Sequence, residues 1–309
     1  MVLTITTNPM LDKTLFLPKF EIGNIYRSTK VEDVAGGKGI NVSLQLTELG
    51  VENIATGFLG GEIGLQIKHI LDNDNIKNDF VWVKGNTRIG FTVLDESNLV
   101  QTSVFEPNHK VSEDEKNKLS EKVNKYSSLC NYIAISGSVP DKSISGIYYD
   151  MINLIKNNNE NAKIFFDSYG EEFKIGINAK PFFVKQNKKE AELFFNKPLI
   201  DEKDFLQALD SYIDIHFAIL TNGVNYSYIK YENDFYRVKP PKVNVINPIG
   251  SGDTITAGLI YGFIKNYDFI DIIRFAFAAA ASNASKWVIA RNKYEDICSY
   301  MPLIILEKL

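Results

Sequence analysis

The stretch Asn247-Pro248-Ile249-Gly250-Ser251-Gly252-Asp253 runs without a break into Thr254-Ile255-Thr256-Ala257-Gly258-Leu259-Ile260, a segment of helical character. Gly250 and Gly252 around Ser251 let the backbone turn tightly and aim successive N–H groups at one point. A helix N-terminus placed next adds unpaired donors and the positive end of its dipole, so the turn suits an anion. Asp253 is out of place if the turn only holds an anion, because it repels one. It belongs there if a hydroxyl gives up its proton while a phosphoryl group arrives. The competing reading is a glycine turn in which Asp253 caps the helix.

Upstream of this turn, apolar runs of strand length repeatedly end in small or polar residues. Val2–Ile5 leads into Thr6-Thr7-Asn8-Pro9, Tyr132–Ile135 into Ser136-Gly137-Ser138, and Ile164–Phe166 into Asp167-Ser168. Phe182–Val184 leads into Lys185-Gln186-Asn187, and Phe217–Leu220 into Thr221-Asn222-Gly223. Helix-length segments such as Asp114–Lys125, Ser145–Lys156 and Asp204–Tyr212 lie between them. Continuous apolar strands alternating with helices predict an α/β chain with a parallel sheet covered on both faces. The ligand crevice of such a sheet lies beyond the carboxyl ends of its strands, where the polar clusters fall.

Two regions depart from that pattern. Thr87–Leu94 alternates with period two, and the turn Asp95-Glu96-Ser97-Asn98 leads into a second extended run, Leu99–Phe105, which predicts an antiparallel hairpin. Leu15–Phe20 and Tyr26–Val34 read as two further short strands. Together, about 12–34 and 87–106, they predict a small antiparallel lid sheet on a single domain spanning 1–309; a structural appendage or a dimer-forming sheet is an equally physical use. Gly36-Gly37-Lys38-Gly39 opens another helix, with Val42, Leu46 and Leu49 on one face and Gly50 as its stop. Here too glycines admit a ligand to backbone donors, and Lys38 adds a mobile charge. Neither a Walker A loop nor Gly-x-Gly-x-x-Gly occurs.

Asn187-Lys188-Lys189-Glu190 has the spacing of a capping box. In the functional reading Asn187 and Glu190 hold a hydrated Mg²⁺, which keeps several waters and needs few carboxylates. Thr221-Asn222-Gly223 is either a tight turn or a surface facing nucleotide phosphates. Asp12 can accept hydrogen bonds from vicinal hydroxyls or be a solvated loop acid, and Asn41, one turn into its helix, can reach the same hydroxyls. Arg88 opens the hairpin, where a planar guanidinium suits a phosphate already carried by the substrate.

The totals exclude several classes. With 34 basic and 38 acidic residues in 309, the net charge of −4 gives no bulk attraction for nucleic acid or an anionic membrane. Cys130 and Cys298 stand far apart, the usage of a reducing compartment, and His69, His109 and His216 lack metal-ligand spacing. The N-terminus has no basic, apolar leader and Phe275–Ala281 is too short to span a bilayer, which predicts a cytoplasmic protein.

In order along the chain, Thr4–Asp12, Gly36–Val42, Thr87-Arg88, Ile135–Pro140, Val184–Glu190 and Gly250–Asp253 resemble the ribokinase-like (PfkB) carbohydrate kinases over essentially the whole length. The closest likeness is to the branch acting on hexose monophosphates, the tagatose-6-phosphate kinases and 1-phosphofructokinases. The resemblance implies a three-layer α/β/α core with a β-sheet lid, and transfer of phosphate from ATP, with Mg²⁺, to a sugar alcohol. It implies Asp253 as catalytic base and Gly250, Ser251 and Gly252 as anion hole. Asp12, Gly37, Lys38, Asn41, Arg88 and Ser138 fall on the substrate side, with Arg88 and Lys38 on the substrate's phosphate. Lys185, Asn187, Glu190, Thr221 and Gly223 fall on the nucleotide and magnesium side, and Asn283 in the adenine pocket. Two departures stand out: Tyr226 replaces a glycine of the nucleotide loop, and Pro107-Asn108-His109 replaces Pro-Gly-Pro. The expected partners are a phosphosugar and ATP, with a homodimer through the lid sheet; a phosphosugar sensor without turnover is the reading from another class.

Overall fold

The computed structural model describes residues 1–309. In chain order the principal elements are β1 (Val2–Thr6), β2 (Met10–Leu17), β3 (Lys30–Gly36), α1 (Lys38–Glu48), β4 (Asn53–Leu59), α2 (Gly61–Asn73), β5 (Lys77–Asn78), β6 (Val81–Trp82), β7 (Arg88–Asp95) and β8 (Val100–Phe105). They continue with α3 (Glu113–Ser127), β9 (Tyr132–Ser136), α4 (Ile147–Asn158), β10 (Lys163–Asp167), α5 (Gly170–Gly176), β11 (Phe183–Asn187), α6 (Lys188–Phe195), α7 (Glu202–Asp210) and β12 (Phe217–Thr221). The last are β13 (Ser227–Tyr231), β14 (Asp234–Lys239), α8 (Ser251–Ile264), α9 (Phe269–Ala284), α10 (Tyr294–Tyr300) and β15 (Ile305–Lys308).

Eleven strands form one sheet in the order β15-β14-β13-β12-β11-β10-β9-β1-β4-β5, with β6 also on β4. From β4 to β12 every pairing is parallel; β13, β14 and β15 add an antiparallel edge. The parallel strands β1, β4 and β9 to β12 are buried along almost their whole length because both faces are covered, and alternate side chains enter two different cores. Leu3, Ile5, Ile133, Ile135, Phe166 and Val184 pack with Leu119 of α3 and Ile152 of α4. Val2, Ala134, Phe165, Phe183 and Phe217 pack with Val42 of α1, Leu259 of α8 and Phe275 of α9. Parallel pairing aligns the strand ends: Asp167 is in register with Ser136, and Asn187 with Thr221. The polar residues after the apolar runs therefore share one edge, as the alternation predicts.

A separate four-stranded sheet has the order β3-β2-β7-β8. Its outer pairings are antiparallel and the central one, β2 with β7, is parallel. The hairpin over Arg88–Phe105 forms as its alternation predicts. The two N-terminal strands lie at Met10–Leu17 and Lys30–Gly36 rather than at Leu15–Phe20 and Tyr26–Val34. The half-polar run Met10-Leu11-Asp12-Lys13-Thr14 carries too few apolar residues to reveal a strand on its own. This sheet is tied to the body by Trp287, whose Nε1 donates to Glu32 Oε2 at 2.6 Å and whose ring lies 5.1 Å from that of Phe16. No helix is long and apolar enough to cross a membrane.

Helices α8 and α9 pack closely at Gly258. A methyl group built on Gly258 would lie 2.7 Å from Ala276 Cα, with backbone rather than a flexible tip in the way. Gly258→Val is expected to cost about 1–3 kcal/mol by forcing the helices apart. A urea denaturation midpoint equal to that of the wild type would contradict this.

Candidate active site

A cavity of about 530 Å³ opens beyond the carboxyl ends of the parallel strands. Its walls include Met10 and Asp12 of the small sheet, Gly37, Lys38 and Asn41 at the start of α1, and Lys185, Asn187 and Glu190 around the end of β11. Gly250–Asp253 and the loop residues Thr221 and Gly223 complete the polar part, and Val243, Val245, Phe277 and Ala281 line an apolar end. Asp253 thus meets Asp12, Asn41, Lys38, Lys185 and Glu190 in one space, although 241 positions separate Asp12 from Asp253 along the chain (253 − 12).

Gly250 takes φ 77°, and a side chain there would also strike Ile289 Cγ2 at 2.4 Å. That left-handed residue turns the chain into α8 and leaves the N–H groups of Gly250 and Gly252 without a partner. The amide of Ser251 is less available, since it donates to Pro248 O at 3.3 Å. The expected row of three free donors is therefore two. Asp253 is buried in the first turn of α8, and its Oδ2 accepts from Asn41 Nδ2 at 2.7 Å. Burial first, then the like charge of Asp167, push its carboxyl up to about 6 against the opposing pull of Lys38 and Lys185. A carboxyl poised there is a competent proton acceptor at neutral pH. Its side-chain hydrogen bond is to Asn41 and not to a helix N–H, which disfavours the capping reading.

Asp167, at the end of β10, is the group that reading the chain did not single out. Only 1% of its side chain is exposed; its Oδ1 accepts from Lys38 Nζ at 2.9 Å, and its Oδ2 is ion-paired with Lys185 Nζ at 2.7 Å. Burial works against its ionisation, but the two ammonium groups hold it below the ordinary carboxylate range. The available signal was its position, an acid closing an apolar strand in the row of crevice ends.

Lys38 departs from expectation. Its Nζ also lies 3.4 Å from Glu190 Oε1, so the ammonium bridges two carboxylates at the cavity wall instead of standing as an unpaired, mobile charge. Burial opposes its charge, but Asp167, Glu190 and Asp253 keep it firmly protonated. Arg88 is different. It has no carboxylate within ion-pair distance, its Nε is buried without a partner, and its Nη2 makes only a 3.5 Å contact to Asn8 O. Its guanidinium stands 5.9 Å from the Phe105 ring centroid. Desolvation lowers its pKa, as for a buried cation that lacks its anion.

Asp12 lies within β2 rather than in a loop. Gly36 and Gly90 on the flanking strands make room for it: a methyl group on Gly36 would fall 2.1 Å from its Oδ2, and one on Gly90 3.1 Å from its Oδ1. It has no hydrogen-bond partner in the protein, and burial raises its carboxyl to about 7 despite the charge of Arg88. Ser138 belongs to a rim in which Asn8 Nδ2 donates to Ser138 Oγ at 3.2 Å and to Asn108 Oδ1 at 3.1 Å.

On the other side, Asn187 and Glu190 form the reciprocal capping box: Glu190 N donates to Asn187 Oδ1, and Asn187 N to Glu190 Oε2. Both still face the cavity, and one carboxylate with an amide oxygen is a donor set that fits a largely hydrated Mg²⁺. Asn283 is corrected. Its Nδ2 donates to Ile249 O at 2.8 Å and Ser251 Oγ at 3.0 Å, and its Oδ1 accepts from Ala290 N, so it braces the glycine turn instead of lining the pocket. Phe277, Ala280, Ala281 and Ala284 of the same helix line it. Tyr226 does not enter the cavity either; Arg237 and Lys239 lie against its ring at 4.9 and 5.0 Å, and the loop's left-handed residue is Gly223 at φ 58°.

Comparison with known proteins supplies the family. The pattern of the pfkB family carbohydrate kinases matches residues 10–287. A tagatose-6-phosphate kinase of Staphylococcus epidermidis is 30% identical over 312 aligned positions, covering 98% of this chain and 99% of that protein. Among solved structures, one described as a possible 1-phosphofructokinase of Thermotoga maritima superposes with a TM-score of 0.92 at 26% identity, covering 100% of this chain and 99% of that one. Phosphofructokinase-2 of Escherichia coli, in complex with potassium, has the same fold, with a TM-score of 0.90 at 23% identity over 98% of each chain. The chain is a phosphotransferase acting on an alcohol group, and it belongs to the pfkB family of carbohydrate kinases.

Proposed function

We propose that the protein transfers the γ-phosphoryl group of ATP to the C1 hydroxyl of D-tagatose 6-phosphate, giving the 1,6-bisphosphate and ADP. The observation that carries this reading is one poised carboxylate, Asp253, in the same cavity as Asp12, together with one unclaimed guanidinium, Arg88, close enough for its charge to act on Asp12. The relative at 30% identity bears that activity in its name. Fructose 1-phosphate, attacked through its C6 hydroxyl, is the second reading, favoured by the name of the Thermotoga maritima structure.

In the reaction the sugar lies under the small sheet with its phosphate on Arg88 and vicinal hydroxyls on Asp12 and Asn41. Asp253 takes the proton of the attacking hydroxyl. The N–H groups of Gly250 and Gly252, with the end of α8 behind them and Lys185 beside them, offset the charge that builds on the migrating phosphoryl oxygens. The nucleotide runs along Thr221 and Gly223, its base in the apolar end. Glu190 and Asn187 would hold Mg²⁺, which would neutralise charge on the nucleotide phosphates. The small sheet acts as the lid that keeps water out, and two copies pair through it, which would cover exposed Val31, Val104 and Phe105.

Coupled ADP release across a panel of phosphohexoses tests the assignment; turnover confined to unphosphorylated sugars would refute it. In Asp253→Asn, kcat is expected to fall by about 10²–10⁴ with the ATP dissociation constant nearly unchanged. Wild-type turnover in that variant would remove Asp253 from the chemistry. Arg88→Ala should raise the KM for the phosphosugar about 10–100-fold, the loss of hydrogen bonds between charged groups, with a smaller effect on kcat. An unmoved KM would put the phosphate elsewhere.

The pH profile has a definite sign. Asp12 and Asp253 act as carboxylates and both are shifted upward, to about 7 and about 6, so kcat/KM should fall as pH drops through that range. Asp12→Asn should abolish the upper step and leave the lower one. A profile flat down to pH about 4, the range of an unperturbed carboxylate, would refute the assignment of both groups.

A further inference from the structure

Asp167 is a fully buried acid to which neither the resemblance nor the proposed chemistry gives a role. We infer that Asp167 is a positioning residue: by claiming the ammonium groups of both Lys38 and Lys185, it keeps them off Asp253 and holds Lys185 beside the glycine turn. This inference rests on Asp253 being the base.

The geometry is as follows. Lys185 Nζ and Lys38 Nζ sit on opposite oxygens of Asp167, at 2.7 and 2.9 Å. Lys185 Nζ would lie 3.1 Å from a methyl group on Gly252, the residue directly before Asp253, so its ammonium flanks the open end of α8. Asp253 nevertheless forms no ion pair with either lysine; its hydrogen bond comes from neutral Asn41. Two cations and two carboxylates share this pocket floor, with Glu190 beyond Lys38, and the cations have settled on the acid at the end of β10.

Chemistry explains why that division matters. An acid in direct contact with an ammonium has its pKa depressed and its lone pairs occupied, and makes a poor base. An acid near the same cations but not bonded to them, and next to another negative charge, keeps its affinity for a proton. The charged groups facing Asp253 are Asp167, Lys38 and Lys185, and the first raises its pKa while the lysines lower it. Without the charge of Asp167, Glu190 still holds Lys38, but nothing on the floor of the pocket competes with Asp253 for Lys185. Lys185 would also lose the anchor that fixes it beside Gly252.

The test is the pH dependence of kcat at saturating phosphosugar and ATP for the wild type, Asp167→Asn and Lys185→Met. In Asp167→Asn the acid limb is expected to move down by about one pH unit, while kcat on the plateau drops at least about tenfold. In Lys185→Met the limb is expected to move the opposite way, because one cation is gone. A packing role alone would lower the plateau and leave the limb in place, so an unmoved limb in folded Asp167→Asn overturns the inference. Should that variant fail to fold, an unmoved limb in Lys185→Met overturns it instead. A wild type lacking any limb near pH 6 refutes the assignment of Asp253, and this inference falls with it; a wild-type limb that neither substitution moves refutes this inference alone.

Discussion

Two neighbouring strands and one helix start are joined by the contact of two ammonium groups with one carboxylate. Asp167 closes β10, Lys185 comes from β11 one strand away, and Lys38 opens α1 from beyond β3. A carboxylate with 1% exposure is tolerated only when cations surround it, and such a group is expensive to leave half-paired. The contact therefore fixes where α1 begins relative to the sheet, and with it Asn41, the residue that holds Asp253. The same contact pairs Lys38, leaving Arg88 as the cation of the site that still lacks an anion. The division of labour between the positive side chains follows from which carboxylates each can reach.

Much of this was legible in the chain, for identifiable reasons. Apolar strands alternating with helices have one stable arrangement in which both sheet faces are covered, so the polar residues after Ile5, Ile135, Phe166 and Leu220 had to collect at one edge. Gly250-Ser251-Gly252-Asp253 announced a turn into a helix because few other sequences allow φ 77° followed by free amides. The period-two hairpin at Arg88–Phe105 was visible because one face of it is apolar.

What was hidden depends on distance. That Lys38 is bound by Asp167 and Glu190 rests on contacts across 129 and 152 positions, and no local pattern encodes them. Asn283 looked like a pocket residue because it sits on the right helix, yet it occupies the inward face, where its amide can satisfy Ile249 O and Ala290 N at once. Asp12 looked like a loop acid because β2 is half polar. Its strand exists through its pairings with β3 and β7, and the space for its carboxylate is supplied by glycines 24 and 78 residues later (36 − 12, 90 − 12).

Trp287 joins the small sheet to the body through Glu32 and Phe16, and it is one of only two tryptophans in the chain; the other, Trp82, lies on β6. An indole whose N–H is bonded to a carboxylate and whose ring is half covered by a phenyl group emits differently once either neighbour withdraws. The seam is thus intrinsically fluorescent, and any rocking of the sheet as sugar or nucleotide arrives would be readable in the emission spectrum without attaching a dye.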